Sequence, residues 1–132
     1  SSAETAHAAH VPPHLLAKPV VVEDGTGSLL ALVPADRFVM LGPLSELLGR
    51  RHLRLADEDR IAELFPDCER GAVPAIGTPW GLPIVVDEEL EAGERAYLEC
   101  GDHEALLGMS RAQFRELVRT APHGRFCGER VH

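Results

Sequence analysis

The stretch of sequence that decides the fold is KPVVVEDGTGSLLALV, residues 18–33. Two apolar runs flank the segment Asp24–Gly27, whose composition is typical of a tight hairpin turn. We therefore expect two buried strands joined as a hairpin. Lys18 stands at the start of the first strand, beside a hydrophobic run where a lysine is poorly solvated. Considered alone, this lysine is more simply explained as an edge charge than as a catalytic group.

Helix and strand signals alternate along the rest of the chain. Acidic residues at 57–59 complement the positive end of a helix, and Ser110 with Gln113 forms a capping box. Helices are predicted at residues 1–10, 13–17, 42–49, 57–65 and from 110 onward, and strands at 50–55, 84–87, 96–100 and 104–109. The expected inward-facing residues include Leu53, Leu55, Phe114, Leu117 and Val118. The pattern predicts an α/β (α+β) protein with a mixed β-sheet surrounded by short helices.

Length and composition favour one domain over residues 1–132, with a loose C-terminal tail from about residue 120. The net charge of −8 argues against a general nucleic-acid binder, and we expect no DNA partner. Small basic patches at 50–54 and along Arg111, Arg115 and Arg119 leave local contact with a nucleic acid open, beside the simpler explanation of solvated surface charge. No apolar run approaches the roughly 20 residues of a membrane span, so we expect no membrane partner.

The cysteines and the start of the chain bear on its compartment. Cys68, Cys100 and Cys127 form no CxxC pair, which favours free thiols in a reducing cytoplasm. The chain shows no signal-peptide pattern. It begins Ser1-Ser2 without a methionine, which leaves an upstream segment open. We therefore predict a cytoplasmic protein.

A second notable stretch is the loop at Gly71–Pro83, which is rich in glycine and proline and holds the only tryptophan, Trp80. Regular helices and central strands do not tolerate this composition. The loop leads into a predicted buried strand, so it is a candidate for close approach of the backbone to a ligand. The alternative is a well-packed loop that only turns the chain.

Standard catalytic motifs are missing from the sequence, including the P-loop, GxGxxG, GxSxG and HExxH patterns. Cys100 with His103 could form a nucleophile pair, although a buried inert thiol is the simpler explanation. Asp87 and the glutamates at 88–89 could supply a general base, although an acidic surface turn is simpler. A zinc site could be built from His7, His10 and His14, but the Pro12-Pro13 break disturbs their spacing and surface histidines account for them better.

Three features would make a site if they converge: Lys18, the loop at 71–77 and His103 in a predicted hairpin turn. Together they would combine a positive charge, backbone amides and a titratable imidazole. Such a site suits a small polar group attached to a phosphate ester or carbonyl, because the lysine can hold an anionic oxygen and the amides can stabilise an oxyanion. Spacing alone does not establish that they converge.

The order of several short segments resembles the YbaK-type prolyl-tRNA editing domain. These segments are 2–6, 11–13 with 17–18, 54–58, 71–77, 82–88, 101–103 and 109–110. The resemblance covers nearly the whole chain except its last dozen residues. It implies a mixed α/β fold and a free-standing protein that hydrolyses wrong amino acids from tRNA, without a cofactor or metal. The implied partners are the acceptor end of mischarged tRNA and, as a further candidate, a synthetase.

The resemblance also implies residue roles. Lys18 matches the functional lysine of the family, which engages the terminal adenosine and the ester region, and His103 matches a histidine that shapes the amino-acid pocket. The implied substrate loop acts through the backbone of Gly71, Ala72, Val73, Pro74, Ala75 and Gly77. This chain departs from the family at Ala75, where proline is usual, and at Pro19, where a small or polar residue is commoner. We expect pocket size to reject the correct amino acid, as in a double sieve.

Two functions from different classes follow from these residues. The first is an aminoacyl-tRNA deacylase for a small amino acid such as Ala, Cys, Ser or Thr. Ester hydrolysis is feasible by positioning a water and stabilising the oxyanion, which accounts for the lack of a catalytic triad. The second is a non-catalytic binding module that uses the same pocket for a nucleotide or a tRNA end.

Overall fold

A computed structural model of the chain describes residues 10–65, 82–99 and 106–129. A short 3-10 helix at Pro13–Leu15 precedes the first strand. The strands are β1 (Leu16–Asp24), β2 (Gly27–Pro34), β3 (Arg37–Val39), β4 (Arg54–Leu55), β5 (Ile84–Asp87), β6 (Arg95–Glu99), β7 (Leu106–Ser110), β8 (His123–Gly124) and β9 (Cys127–Glu129). The helices are α1 (Leu41–Leu48), α2 (Glu58–Leu64), α3 (Glu89–Ala92) and α4 (Arg111–Leu117).

The main sheet has the strand order β7-β6-β1-β2-β5-β8, and β4 pairs with β1 as well. The pairs β1–β6, β2–β5 and β5–β8 are parallel, whereas β1–β2, β6–β7 and β1–β4 are antiparallel. A separate antiparallel pair joins β3 to β9. The prediction of a mixed sheet with short helices is therefore confirmed.

The two faces of the main sheet pack against different parts of the chain. Face A carries Ala17 and Val21 of β1 and packs against α2, α3 and α4. Face B carries Leu16, Lys18 and Val22, which alternate with the face A residues along β1. Helix α1 and the C-terminal segment, with Phe126, cover face B. Both faces are apolar because the central strands are buried between these layers.

The predicted hairpin is present as β1 and β2, whose register runs from Ala17 opposite Pro34 to Asp24 opposite Gly27. Asp24 Oδ1 accepts hydrogen bonds from Thr26 N at 2.8 Å and Gly27 N at 3.2 Å. Arg50 follows α1 and donates to both oxygens of the same carboxylate. The hydrogen bond from Arg50, followed by those from Thr26, lowers the pKa of Asp24 below its ordinary value.

The prediction of a loose tail from about residue 120 is wrong for residues 123–129. Residues 123–129 form β8 and β9, and the side chain of Phe126 is only 1% exposed in the core of face B. The Pro, Gly and His content of this segment suggested irregular structure. Pairing with β5 and β3 overrides that local signal, because the segment finds partners that are distant in sequence.

Other predicted boundaries need correction. The helix predicted at 13–17 ends at Leu15, because Leu16 and Ala17 pair with β6 and join β1. Leu55 is 55% exposed and Leu117 is 46% exposed, so neither faces the core as predicted. The strand at 50–55 shrinks to two residues, and Leu55 lies at its end on the edge of the sheet.

Several local predictions are confirmed. A helix begins at the acidic residues 57–59 as predicted, with Asp57 as its cap, and Ser110 forms the expected capping box with Gln113. Gly49 ends α1 in the left-handed conformation, with φ of 63°, as a helix-ending glycine does. The helix predicted at 1–10 lies outside the described residues, apart from His10. No helix within residues 10–65, 82–99 or 106–129 has the length and apolar character that a membrane span requires.

Candidate active site

Lys18 is the third residue of β1 and not the first residue of the strand, as predicted from the sequence. Its side chain is half-buried on face B, between the apolar clusters around Leu16 and Val22, and its cross-strand partner Val33 is fully buried. The ammonium group donates a hydrogen bond to the backbone carbonyl of Arg37, at the start of β3. Because a charged group needs such partners in apolar surroundings, the strand β3 helps to set the direction of this side chain.

Lys18 is also the only lysine in the chain; the other 12 of the 13 basic residues counted as Lys or Arg are arginines. Lysine differs from arginine in carrying a compact point charge on a flexible stem, without the planar fork of donors. All other Lys or Arg positions in the chain are arginine, whereas the one lysine lies in the central strand β1.

Two different strands pair with the edge of β1 that faces away from β2, and Lys18 lies between them. Strand β6 pairs with Leu16 and Ala17, and β4 pairs with Val22 and Glu23. Among the described residues, no strand pairs with residues 18–20 along that edge, whereas the Val21 carbonyl accepts a hydrogen bond from Ala56 N at 3.0 Å. In open α/β sheets, ligands bind in the crevice outside the carboxyl ends of the strands, and the parallel strand β6 ends at Glu99, beside this gap. Lys18 therefore lies at a break in the sheet that suits a ligand.

Glu99 is a feature of this site that the sequence analysis missed. Tyr97 and Leu98 of β6 pair with Leu16 and Ala17, so the next residues along the two parallel strands, Glu99 and Lys18, share face B. The whole residue Glu99 is only 6% exposed. The parallel pairing of β6 with β1 places this carboxylate on the same face of the sheet as Lys18.

Asp87, a candidate general base in the sequence, has a different role. It is fully buried, and its Oδ1 accepts a hydrogen bond from Glu89 N at 2.9 Å. Its Oδ2 accepts from Phe126 N at 2.8 Å and from Cys127 N at 2.9 Å. Three backbone donors thus occupy the carboxylate, which holds main-chain segments together. The interpretation as a surface turn is wrong for Asp87, which is buried, whereas Glu88 and Glu89 are exposed as that interpretation predicts.

Cys127 belongs to the same cluster. Burial, followed by the hydrogen bond with Asp87, raises the pKa of the Cys127 thiol to about 12. The thiol is therefore protonated at neutral pH and lacks the thiolate character of a nucleophile. Cys68 and Cys100 lie outside the described residues, so the proposed pair of Cys100 with His103 stays untested.

The loop residues Gly71 to Gly77 and His103 also lie outside the described residues. The described residues that flank them are placed as follows. Phe65 and Leu82 belong to one apolar cluster on face A. Glu99 and Leu106, which flank the connection that contains His103, pair with each other, and Glu99 lies beside the break at Lys18. Convergence of the three predicted features stays a prediction.

The zinc alternative stays untested, because only two of its three histidines, His10 and His14, are among the described residues. In the part of the chain that the structure describes, no group of three or more His, Cys, Asp or Glu residues could hold a metal ion. His10 lies in a turn with φ of 56°, and His14 lies in the 3-10 helix. His7 is outside the described residues.

The arginine stripe of α4 lies beyond face A, on the opposite side of the sheet from Lys18. It borders a surface depression of about 820 Å³. Arg111 donates to the carbonyls of Ala92 and Gly93, and Arg115 lies 3.7 Å from Glu91. Arg119 lies 3.5 Å from Glu116. These neighbours offset much of the positive charge, so the stripe is a weak candidate for contact with a nucleic acid.

Comparison with known families identifies the class of protein. The family model described as the aminoacyl-tRNA editing domain matches residues 1–117. This match covers most of the chain, and the chain belongs to the aminoacyl-tRNA editing domain family. Family membership supports aminoacyl-tRNA deacylase activity in general. A comparison with curated protein sequences finds no significant match.

Solved structures agree with this assignment. A protein provisionally described as a trans-editing enzyme for prolyl tRNA synthetase is 26% identical with a TM-score of 0.78, over 99% of this chain and 80% of that one. The hypothetical protein APE2540 is 26% identical with a TM-score of 0.83, over 97% of this chain and 84% of that one. A chain described under epitope grafting on scaffold proteins shares the fold, with 23% identity and a TM-score of 0.80 over 100% of this chain and 82% of that one.

Proposed function

We propose that this protein is a trans-editing deacylase that hydrolyses the ester bond of mischarged tRNA, with Lys18 positioning the substrate. The observation that carries the proposal is the place of Lys18 in a chain of the editing family. The only lysine is half-buried between apolar clusters, at the break in the edge of β1. Apolar surroundings disfavour a charged group, and the Arg37 carbonyl and the nearby Glu99 offset this cost; a function for this lysine explains why such an arrangement is present.

Hydrolysis of the ester requires the positioning of a water molecule and of a positive charge more than it requires a nucleophilic side chain. Water attacks the ester carbonyl, the carbonyl oxygen becomes negative in the tetrahedral intermediate, and the ribose oxygen leaves with a proton. A fixed ammonium group near the ester stabilises the developing negative charge, and the low polarity around Lys18 strengthens this effect. Lys18 in this scheme holds the terminal nucleotide or the ester oxygen while water attacks.

The remaining roles rest on the resemblance and on the sequence. The backbone of Gly71 to Gly77 lines the aminoacyl pocket and helps to position the water, and His103 shapes the same pocket. The edited amino acid is small, with Ala, Cys, Ser and Thr as candidates. The pocket rejects the correct amino acid by size. Ala75, at a position where the family usually has proline, is the residue that we expect to adjust this choice.

The decisive experiment is a deacylation assay on Ala-, Cys-, Ser- and Thr-tRNA. Replacing Lys18 with alanine should lower kcat/KM by roughly 10²-fold, the usual effect of removing one group that stabilises an oxyanion. Lys18→Arg keeps the charge but not its geometry, so it should restore the activity only in part. The matched control is Arg125→Ala, which removes a positive charge from a side chain that is 89% exposed in the C-terminal segment. This control should retain activity within about twofold.

Circular dichroism establishes that each variant is folded before its activity is compared. The proposal fails if micromolar wild-type protein cleaves none of the four esters, or if Lys18→Ala is as active as the wild type. Binding of mischarged tRNA without turnover would instead favour the alternative, a binding module for a nucleotide or a tRNA end.

A further inference from the structure

The C-terminal strap, defined here as residues 121–129, lies beyond residue 117, where the match to the family ends. Strand β8 in this strap pairs with β5, so that His123 lies opposite Val86 and Gly124 lies opposite Asp87. The strap then places Phe126 in the core of face B, where it is 1% exposed. Its last part, β9, pairs with β3. The strap therefore connects the far edge of the main sheet to the strand that contacts Lys18.

Asp87 anchors the middle of the strap. Its Oδ2 accepts hydrogen bonds from the backbone N–H groups of Phe126 and Cys127, at 2.8 and 2.9 Å. The carboxylate is fully buried. Hydrogen bonds to an ionised acceptor are about twice as strong as those between neutral groups, and burial keeps water from competing for them. The position of residues 126 and 127 thus depends on one carboxylate at the end of β5.

The strap in turn holds β3 at both ends. Met40 N, just after β3, donates to the carbonyl of Phe126 at 2.7 Å. At the other end, Arg37 lies opposite Glu129 in the register, and their side chains form an ion pair at 2.5 Å. The hydrogen bond between these side chains lowers the pKa of Glu129 and raises the pKa of Arg37. Strand β3 is therefore fixed to the strap at the residue whose carbonyl contacts Lys18.

We propose that Asp87 and the C-terminal strap are positioning elements for Lys18. The connection runs from Asp87 to the strap, from the strap to β3, and from the Arg37 carbonyl to the Lys18 ammonium. Asp87 touches no substrate in this scheme and acts by fixing the acceptor that directs the ammonium. The catalytic part of this inference rests on the proposed function of Lys18, whereas the structural part does not.

The single lysine makes a direct test possible. Protein that contains lysine labelled with ¹³C at Cε gives one lysine resonance, which reports only on Lys18. The test variants are Asp87→Asn, which weakens the anchor, and Glu129→Gln, which removes the charge from the ion pair with Arg37. The control is Arg125→Gln, because the Arg125 side chain lies in the same strap but is 89% exposed and pairs only at the surface with Glu88.

We expect the Lys18 Cε resonance to shift or broaden in Asp87→Asn and Glu129→Gln but not in Arg125→Gln. In the deacylation assay, Asp87→Asn should lose about tenfold in kcat with a smaller change in KM, since misplacement of a functional group by about 1 Å costs up to 10²-fold. Glu129→Gln should lose less, because the ion pair that it removes is largely exposed. A general loss of stability would not lower kcat more than it changes KM in protein that remains folded. The Glu129 side chain is 79% exposed, so this variant should fold even if Asp87→Asn does not.

The outcomes separate this inference from the proposed function. An unchanged Lys18 resonance in folded Glu129→Gln and Asp87→Asn protein would overturn the positioning role, whatever the enzymatic result. A shifted resonance in a protein that cleaves no ester would support the positioning role while the proposed function fails. Active variants with a kcat equal to that of Arg125→Gln would overturn the catalytic part.

Discussion

Replacing Phe126 with alanine should destabilise the protein strongly, because the ring is 1% exposed and packs in the core of face B. Removing a buried phenylalanine side chain costs about 3–5 kcal/mol, from lost burial of apolar surface and from the cavity that remains. A domain of this size has a total stability of roughly 5–15 kcal/mol, so the loss is a large fraction of the total. The expected decrease in Tm is on the order of 10–20 °C.

Urea denaturation followed by circular dichroism measures this loss. The matched control is Phe38→Ala, since Phe38 has the same side chain but is 39% exposed on β3. Its removal should cost less than half as much, because an open site retains no closed cavity. A loss below about 1 kcal/mol for Phe126→Ala would refute the reasoning. Residues 121–129 would then stand outside the cooperative core, and the strap could not position Lys18.

Two further predictions concern local contacts. Hydrogen bonding, first from Arg50, lowers the pKa of Asp24 in the folded protein, so its contribution to stability is present above about pH 4 and is lost as the pH falls below that value. Asp24→Asn should therefore flatten the fall in the urea midpoint between pH 5 and pH 2. Ser110→Ala removes the hydroxyl that accepts a hydrogen bond from Gln113 N, and should cost about 1 kcal/mol in urea denaturation.

Controls on the same elements make these two predictions specific. For the acid dependence, Asp59→Asn in the first turn of α2 should leave the difference between pH 5 and pH 2 closer to that of the wild type than Asp24→Asn does. An Asp24→Asn protein with the wild-type acid response would contradict the assignment. For the helix cap, Ala112→Ser on the exposed side of α4 should change stability by less than half as much as Ser110→Ala. Equal effects would show that capping is not the cause.

Local patterns were sufficient for much of the fold. The hairpin of β1 and β2 followed from two apolar runs around a turn whose aspartate binds the next backbone amides. The capping box at Ser110 and the start of a helix at the acidic residues 57–59 were also predicted correctly. These features depend on residues within a few positions of each other, so the sequence contains the relevant information. The order of short motifs likewise indicated the family that the family model identifies.

Long-range pairing decided the features that sequence patterns missed. Residues 123–129 looked irregular, yet they pair with β5 and β3 and bury Phe126. The sequence analysis did not single out Glu99, yet the parallel pairing of β6 with β1 places this buried residue beside Lys18. Leu55 looked like a core residue, yet it lies at the end of a two-residue edge strand.

The candidate site also has some features that the sequence determines and others that only the tertiary structure determines. The sequence by itself determined which residue types are available: one lysine, a glycine-rich loop and a histidine in a family pattern. Only the tertiary structure decided that Lys18 lies at the break in the edge of β1 and that its ammonium contacts the Arg37 carbonyl. The physical reason is that a side chain's surroundings come from strands distant in sequence, which no local pattern specifies.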